Sequence, residues 1–204
     1  MPIPPQDNSH LILETAQRIT FSRGISVLRM AGLATELGMS KKTLYVYYPS
    51  KEALLEAMMA AHFDHYDRLF GAVLAASDRG FLSRLQETMR LGWEMNSAMT
   101  AEATQDFRRS APVLLRTFEQ KKAAAMQVYF HALLAEGQQQ GFLRPELALP
   151  IVVDILMEVI TYRLTLNELQ HKQYTLSEAF TTFYQLLFAG MLTDTARQEF
   201  MKLA

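Results

Sequence analysis

The chain has 204 residues, 50% of them hydrophobic and 20% charged, with a net charge of −1. That composition supplies a real core and excludes a disordered linker. The absence of cysteine excludes disulfides and cysteine-based zinc sites. No apolar run approaches the ~18 residues that span a bilayer. The N-terminal MPIPPQDNSH lacks the basic region and apolar core of a secretory signal, so a cytoplasmic protein without membrane contact is expected.

Residues 1–8 hold three of the seven prolines and read as a flexible arm. A helix is expected from Ser9 to Ser22, with Ile12, Ala16 and Ile19 on one face and Arg23-Gly24 ending it. Ile25 to Leu28 reads as a loop. The next stretch, Leu33 to Lys51, is LATELGMSKKTLYVYYPSK. An amphipathic turn-and-a-half (Leu33, Ala34, Leu37) stops at Gly38. Ser40 then opens a second short helix, which Pro49-Ser50 breaks. Two short helices around a glycine-containing turn are the ingredients of a helix-turn-helix. Ala34 permits close approach of the second helix, and Gly38 can take the positive φ of a sharp turn. Leu33, Leu37 and Leu44 fill the wedge, and Ser40 can cap the second helix. Lys41, Lys42, Thr43, Tyr45 and Tyr47 remain as the polar or amphipathic surface of a helix small enough to enter a major groove.

Charge agrees with that placement. Residues 23–51 carry a net +4, so the rest of the chain carries −5. A basic face on a mildly acidic body suits a protein that binds DNA at one end.

Ser50 can cap a long helix from Lys51 to Ala76, whose stripe is Leu54, Met58, Ala61, His65 and Leu69. Ser77–Gly80 is a break. Leu82, Leu85, Met89, Trp93 and Asn96 share the next face. A shorter helix covers Thr100 to Arg109, and Ser110-Ala111-Pro112 starts a long one reaching about Gln140, with Leu114, Phe118, Ala125, Tyr129 and Leu133 on one stripe. Gly141–Pro145 breaks it. Two apolar helices, Leu149–Leu169 and Leu176–Leu192, precede a short polar one. No period-2 runs and no internal repeats occur. The reading is all-α.

Leu33-Ala34, Gly38-Met39-Ser40, Thr43-Leu44-Tyr45, Tyr47-Tyr48, Pro49-Ser50-Lys51-Glu52 and Leu54-Leu55 resemble the DNA-binding domain of the TetR family of ligand-responsive transcriptional regulators, over about Ile12 to Glu56. The family usually has a hydroxyl residue where Arg29 stands, Phe where Thr20 stands, a small residue at Lys42 and often His at Val46. The resemblance implies an N-terminal three-helix helix-turn-helix domain, residues 1–55, and a larger helical effector-binding and dimerisation body, residues 56–204. It implies operator contacts from Thr43, Tyr45 and Tyr47, with Tyr48 in the core. Arg29 would replace the hydroxyl that touches phosphate. Lys41 and Lys51 lie near helix N-termini, where phosphate is favoured, although solvated lysine is the plain alternative. Lys42 offers a base contact, a phosphate contact or a solvent-facing charge, and Ser40 is a cap that can also reach phosphate.

The resemblance further implies a homodimer through the last two long helices. Ile151, Ile155, Val159 and Tyr162, then Phe180, Tyr184, Leu187 and Met191, form two apolar faces that need burial, against a partner or against the body. Twelve methionines and scattered aromatics offer lining for a small-molecule effector site. Tyr66, Met89, Trp93 and Tyr129 are the candidates, and an ordinary core would have the same spacing. His62 and His65 lack a placed third ligand, so no metal or cofactor is expected. No nucleophile, phosphate loop or triad spacing marks an enzyme. The function expected is a DNA-binding regulator, a repressor released from a palindromic double-stranded DNA operator by a small apolar or amphipathic ligand. The alternative is a helical small-molecule- or partner-binding protein with a disused DNA-binding head.

Overall fold

A computed structural model describes the backbone of residues 5–164, 169 and 171–203, and the side chains of 8–160, 163, 164, 169 and 171–200. The elements are α1 (Pro5–Arg23), a 3-10 turn (Ile25–Val27), α2 (Met30–Glu36), α3 (Lys41–Tyr47), α4 (Lys51–Ala75), α5 (Phe81–Ser97), α6 (Ala101–Ser110), α7 (Pro112–Gln139), α8 (Leu149–Glu158), a π-helical turn (Val159–Arg163), α9 (Leu176–Met191) and α10 (Asp194–Leu203). Among the described residues there is no β-strand, only one antiparallel bridge between Leu143 and Leu192. No described helix is long and apolar enough to cross a membrane.

α1 begins at Pro5, inside the stretch expected as an arm. Proline suits a first helical turn because its missing N–H would have no partner there. The expected helix Leu149–Leu169 ends as an α-helix at Glu158 and continues as the π-helical turn. Its remainder at 165–168 lies outside the described residues.

The chain forms two compact units. The first comprises residues up to His65 together with Ala98–Glu119, so α6 and the start of α7 join α1 to α3. Its core holds Ile12, Ala16, Ile19, Phe21, Leu33, Ala34, Leu44, Leu54 and Met58, with Phe107, Leu115 and Phe118 from the later segment. His62 is buried there, its Nδ1 3.0 Å from Gln17 Nε2 and its ring edge-on to Phe21.

The second unit comprises Tyr66–Ser97 and Gln120–Ala204. The fully buried Arg84 of α5 makes a forked ion pair with Glu136 of α7, the second contact running from Nη1 at 2.9 Å. The Arg84 guanidinium holds the Glu136 carboxyl below its ordinary range. Near this pair Gly137 faces Phe81, and a Cβ at Gly137 would fall on the Phe81 ring. After Gly141, with φ +79°, the chain is stitched to the end of α9: Arg144 N donates to Met191 O at 3.0 Å and Thr193 N to Phe142 O at 2.9 Å.

The two apolar faces near the end of the chain have different surroundings. Ile151 and Ile155 on α8 are exposed and Val159 is half-buried, while the Tyr162 side chain lies outside the described ones. On α9, Phe180, Tyr184 and Met191 are buried within the chain and Leu187 is half-buried. That stripe faces the unit's own core, where Tyr184 stacks on Phe188. The large hydrophobic side chain that α9 exposes is Leu186.

Gly137→Ala should destabilise the protein by about 1–3 kcal/mol through overpacking against Phe81. Gly71→Ala, in α4 where an added Cβ meets nothing within 4 Å, should stabilise it by about 0.5–1 kcal/mol. Urea unfolding of both variants checks the pair. Equal midpoint shifts would contradict the close α5–α7 approach.

Candidate nucleic-acid interface

The turn between α2 and α3 follows from one glycine. Gly38 has φ +63°. Its N–H donates to Thr35 O at 3.1 Å and the Met39 N–H donates to Ala34 O at 2.9 Å. This is the Schellman arrangement, which satisfies the last carbonyls of α2. Ser40 then caps α3, its Oγ accepting from Thr43 N at 3.0 Å and lying 2.8 Å from Thr43 Oγ1. Leu44 is the one buried residue of α3. Lys41, Lys42, Thr43, Tyr45 and Val46 are exposed. Tyr47 is half-buried and its hydroxyl accepts from Asn8 Nδ2 at 3.3 Å, while the buried Tyr48 shares a 2.8 Å hydrogen bond with Ser9.

Arg29 is exposed at the N-cap of α2 and makes no capping bond. Lys51, at the first turn of α4, donates from Nζ to Ile25 O at 2.5 Å. One of its three N–H donors is therefore spent inside the head, fixing the turn that leads into α2.

The same turn is held from the other side by α6. Asp106 is buried. It accepts from Ser26 N at 2.7 Å, Ser26 Oγ at 2.6 Å and Arg109 Nη2 at 3.0 Å. Gly24, with φ +90°, makes this approach possible, because a Cβ there would lie 2.5 Å from Asp106 Oδ2. Thr100, the N-cap of α6, adds two bonds to the end of α1, from N to Phe21 O at 2.9 Å and from Oγ1 to Ser22 O at 3.0 Å. Burial pushes the Asp106 carboxyl up, but the Ser26 donors and Arg109 outweigh it and hold its pKa down at about 2.

In the second unit a groove of about 350 Å³ runs between α5 and α9, with Phe200 of α10 at its side. Met89 and Trp93 line it, with Phe180 and Tyr184 opposite. The Trp93 and Phe180 rings meet edge-on at 5.1 Å and Phe180 lies 4.4 Å from Tyr184. Arg90 at the groove is paired with Glu87 at 2.7 Å and with Glu94. Tyr66 and Tyr129 lie outside this groove. Tyr66 is buried, and burial pushes its phenol up. Tyr129 stacks on Phe70 and donates to Asp67 Oδ1 at 2.6 Å, with burial and that hydrogen bond pushing its phenol to about 12.

The family model described as "Bacterial regulatory proteins, tetR family" matches residues 12–58, the segment that holds α2, the Gly38 turn and α3. Over that segment the chain is similar to the DNA-binding part of the TetR family. It is similar to the HTH-type transcriptional regulator YvaF of Bacillus subtilis, 25% identical over 189 residues that cover 90% of this chain and 95% of YvaF. It also matches YuxN of the same organism, 33% identical over 75 residues, but there it spans only 25% of the relative's length. Among solved structures, a transcriptional regulator from Saccharomonospora viridis in complex with choline superposes with a TM-score of 0.74 at 18% identity, covering 92% of this chain and 99% of that one. A gamma-butyrolactone receptor superposes at 0.67 with 16% identity, covering 97% and 94%. These likenesses are of fold.

The departures from the TetR pattern have local accounts. Thr20, where the family usually has Phe, is fully buried and donates to Ala16 O at 2.8 Å. The neighbouring Phe21 fills the core against His62 and Phe107. Arg29, Lys42 and Val46 stand on the surface, where packing does not constrain them. The sequence marks Gly24 only as the end of the first helix and assigns no role to Ser26 or Asp106. The available signal was an aspartate on the same helical face as Ala103 and Phe107, where a charge must find donors.

Because folding lowers the Asp106 pKa, its contribution is fully present above the unfolded value near ~4 and fades as pH falls toward about 2. The stability difference between wild type and Asp106→Asn should therefore be largest above about pH 4, at roughly 1–3 kcal/mol, and shrink below it. Urea titrations at several pH values measure this; a pH-independent difference would contradict the ionised clamp.

Proposed function

We propose that the protein is a DNA-binding transcriptional repressor of the cytoplasm that acts as a homodimer. Its residues 1–55 read the operator, within the compact unit that also takes in 98–119, and the remainder of 56–204 is the effector-binding and dimerisation body. The observation that carries the reading is α3. One residue anchors it, and every position around Lys41 to Val46 except Leu44 is exposed on a capped helix set off by the Gly38 turn. Each subunit places α3 in a major groove, and the two-fold dimer reads a palindromic or near-palindromic operator. Lys41, Thr43, Tyr45, Tyr47 and Arg29 supply donors to phosphate, with Lys51 aiding through its remaining N–H groups. The exposed Ile151, Ile155 and Leu186 on the last two long helices support association of two copies there.

An apolar or amphipathic small molecule occupies the groove at Met89, Trp93, Phe180 and Tyr184. Aromatic faces with a few polar groups around them, among them Arg90 already paired with Glu87 and Glu94, suit such a ligand. Structural neighbours crystallised with choline or named as a butyrolactone receptor support a small-molecule role for this fold. Ligand binding favours a conformation with α4 tilted and the two reading heads out of register. A coupling of about 1–3 kcal/mol weakens DNA affinity about 5–150-fold.

Selection and sequencing of genomic fragments bound by the purified protein tests the reading, with one recurrent palindrome as the expected outcome. On that site Lys41→Ala should lower the slope of log affinity against log salt by about 0.9 per bound subunit. Recovery of only background sequence from ligand-free protein would refute the reading. Trp93→Ala should leave operator affinity intact and abolish its response to any inducer found among products of the neighbouring genes. Retention of that response would remove the groove from the effector site.

A further inference from the structure

The exposed face of α3 has a sharper chemistry than its charge. Successive residues of an α-helix are rotated by about 100°. Measured from the buried Leu44, Lys41 and Tyr47 lie about 60° away, Thr43 and Tyr45 about 100°, and Lys42 and Val46 about 160°. Exposure follows that order on the Tyr45–Val46 side: Tyr45 is 46% exposed and Val46 is 77% exposed. The two residues pointing most directly away from the protein are thus Lys42 and Val46, one turn apart. In a helix lying in a groove, they face the floor while the others face the walls.

Val46 has no donor for a phosphate oxygen. It is also β-branched, a poor choice for helix propensity at an exposed site. The major-groove floor presents one apolar group, the C5-methyl of thymine. We propose that Val46 is a specificity-determining residue that packs on a thymine methyl in each operator half-site. Lys42, about 6 Å earlier along the helix axis, reaches the guanine O6 and N7 acceptors one or two base pairs away. The inference rests on the DNA-binding reading above, and it assigns a base contact to a residue with no hydrogen-bonding atom in its side chain.

Replacing each thymine of the selected operator in turn with deoxyuridine, symmetrically in both half-sites, removes only the methyl. One position should lose affinity about 10–20-fold, the product of about fourfold per half-site for a buried methyl, and fluorescence anisotropy of labelled duplexes reads this with the wild-type chain. Val46→Ser should bind the thymine and deoxyuridine operators equally at that position and keep the wild-type response at the others. Because Val46 is exposed, its unfolding midpoint should stay unchanged. If every thymine tolerates the replacement, or if Val46→Ser keeps the sensitivity, Val46 does not read a methyl although the protein still binds its operator. A protein that binds no site overturns the parent reading along with this one.

Discussion

Leu44 fixes the direction of the reading helix, because α3 has seven residues and a helix that short has no independent stability in water. Its only buried side chain sits in the same cluster as Ile12, Leu33 and Leu54, and the Schellman turn at Gly38 sets the angle at which α3 leaves α2. Rotation about the Leu44 anchor then decides what every other residue of α3 can touch. A beta-branched or bulky residue at position 38 would face a strained φ of +63°, and the exposed surface would turn with it.

A second constraint acts on the approach to α2. The 3-10 turn at Ile25–Val27 is gripped by Lys51 on one side and Asp106 on the other. Burying a carboxylate is unfavourable by itself, and here the balance is decided by the number of donors. Two come from Ser26 and one from Arg109, and such charge-assisted bonds are about twice as strong as neutral ones. On the proposed reading, phosphate binding by Lys51 would be linked to the shape of the head, since the ammonium that would meet phosphate also holds the Ile25 carbonyl.

The helix-turn-helix was legible because its determinants are local. The Ser40 cap, the Gly38 turn and the Ser50 cap of α4 each act within a few residues, and all three stand where the sequence put them. Helical periodicity likewise located most of the body helices to within a residue or two. It did not reveal what a stripe packs against. Phe180, Tyr184 and Met191 have the same spacing whether they meet a second subunit or their own core, and they meet the core. Tyr66 and Tyr129 looked like Met89 and Trp93 in sequence, yet only the latter two line the groove. Asp106 was invisible for another reason: its partner Ser26 is 80 residues away, and no local rule couples positions at that range.

The bonds from Thr100 and Asp106, with Phe107, Leu115 and Phe118 in the core, make the reading head a discontinuous module. Recombination that joined the first 65 residues to a body without counterparts of Thr100, Asp106 and Phe107 would strand the Ser26 N–H and the Phe21 carbonyl and leave a hole beside Phe21. Heads and bodies are therefore not interchangeable at a single crossover. A working chimera has to carry 98–119 along with the head, which ties the evolution of the operator-reading surface to that of a segment far along the chain.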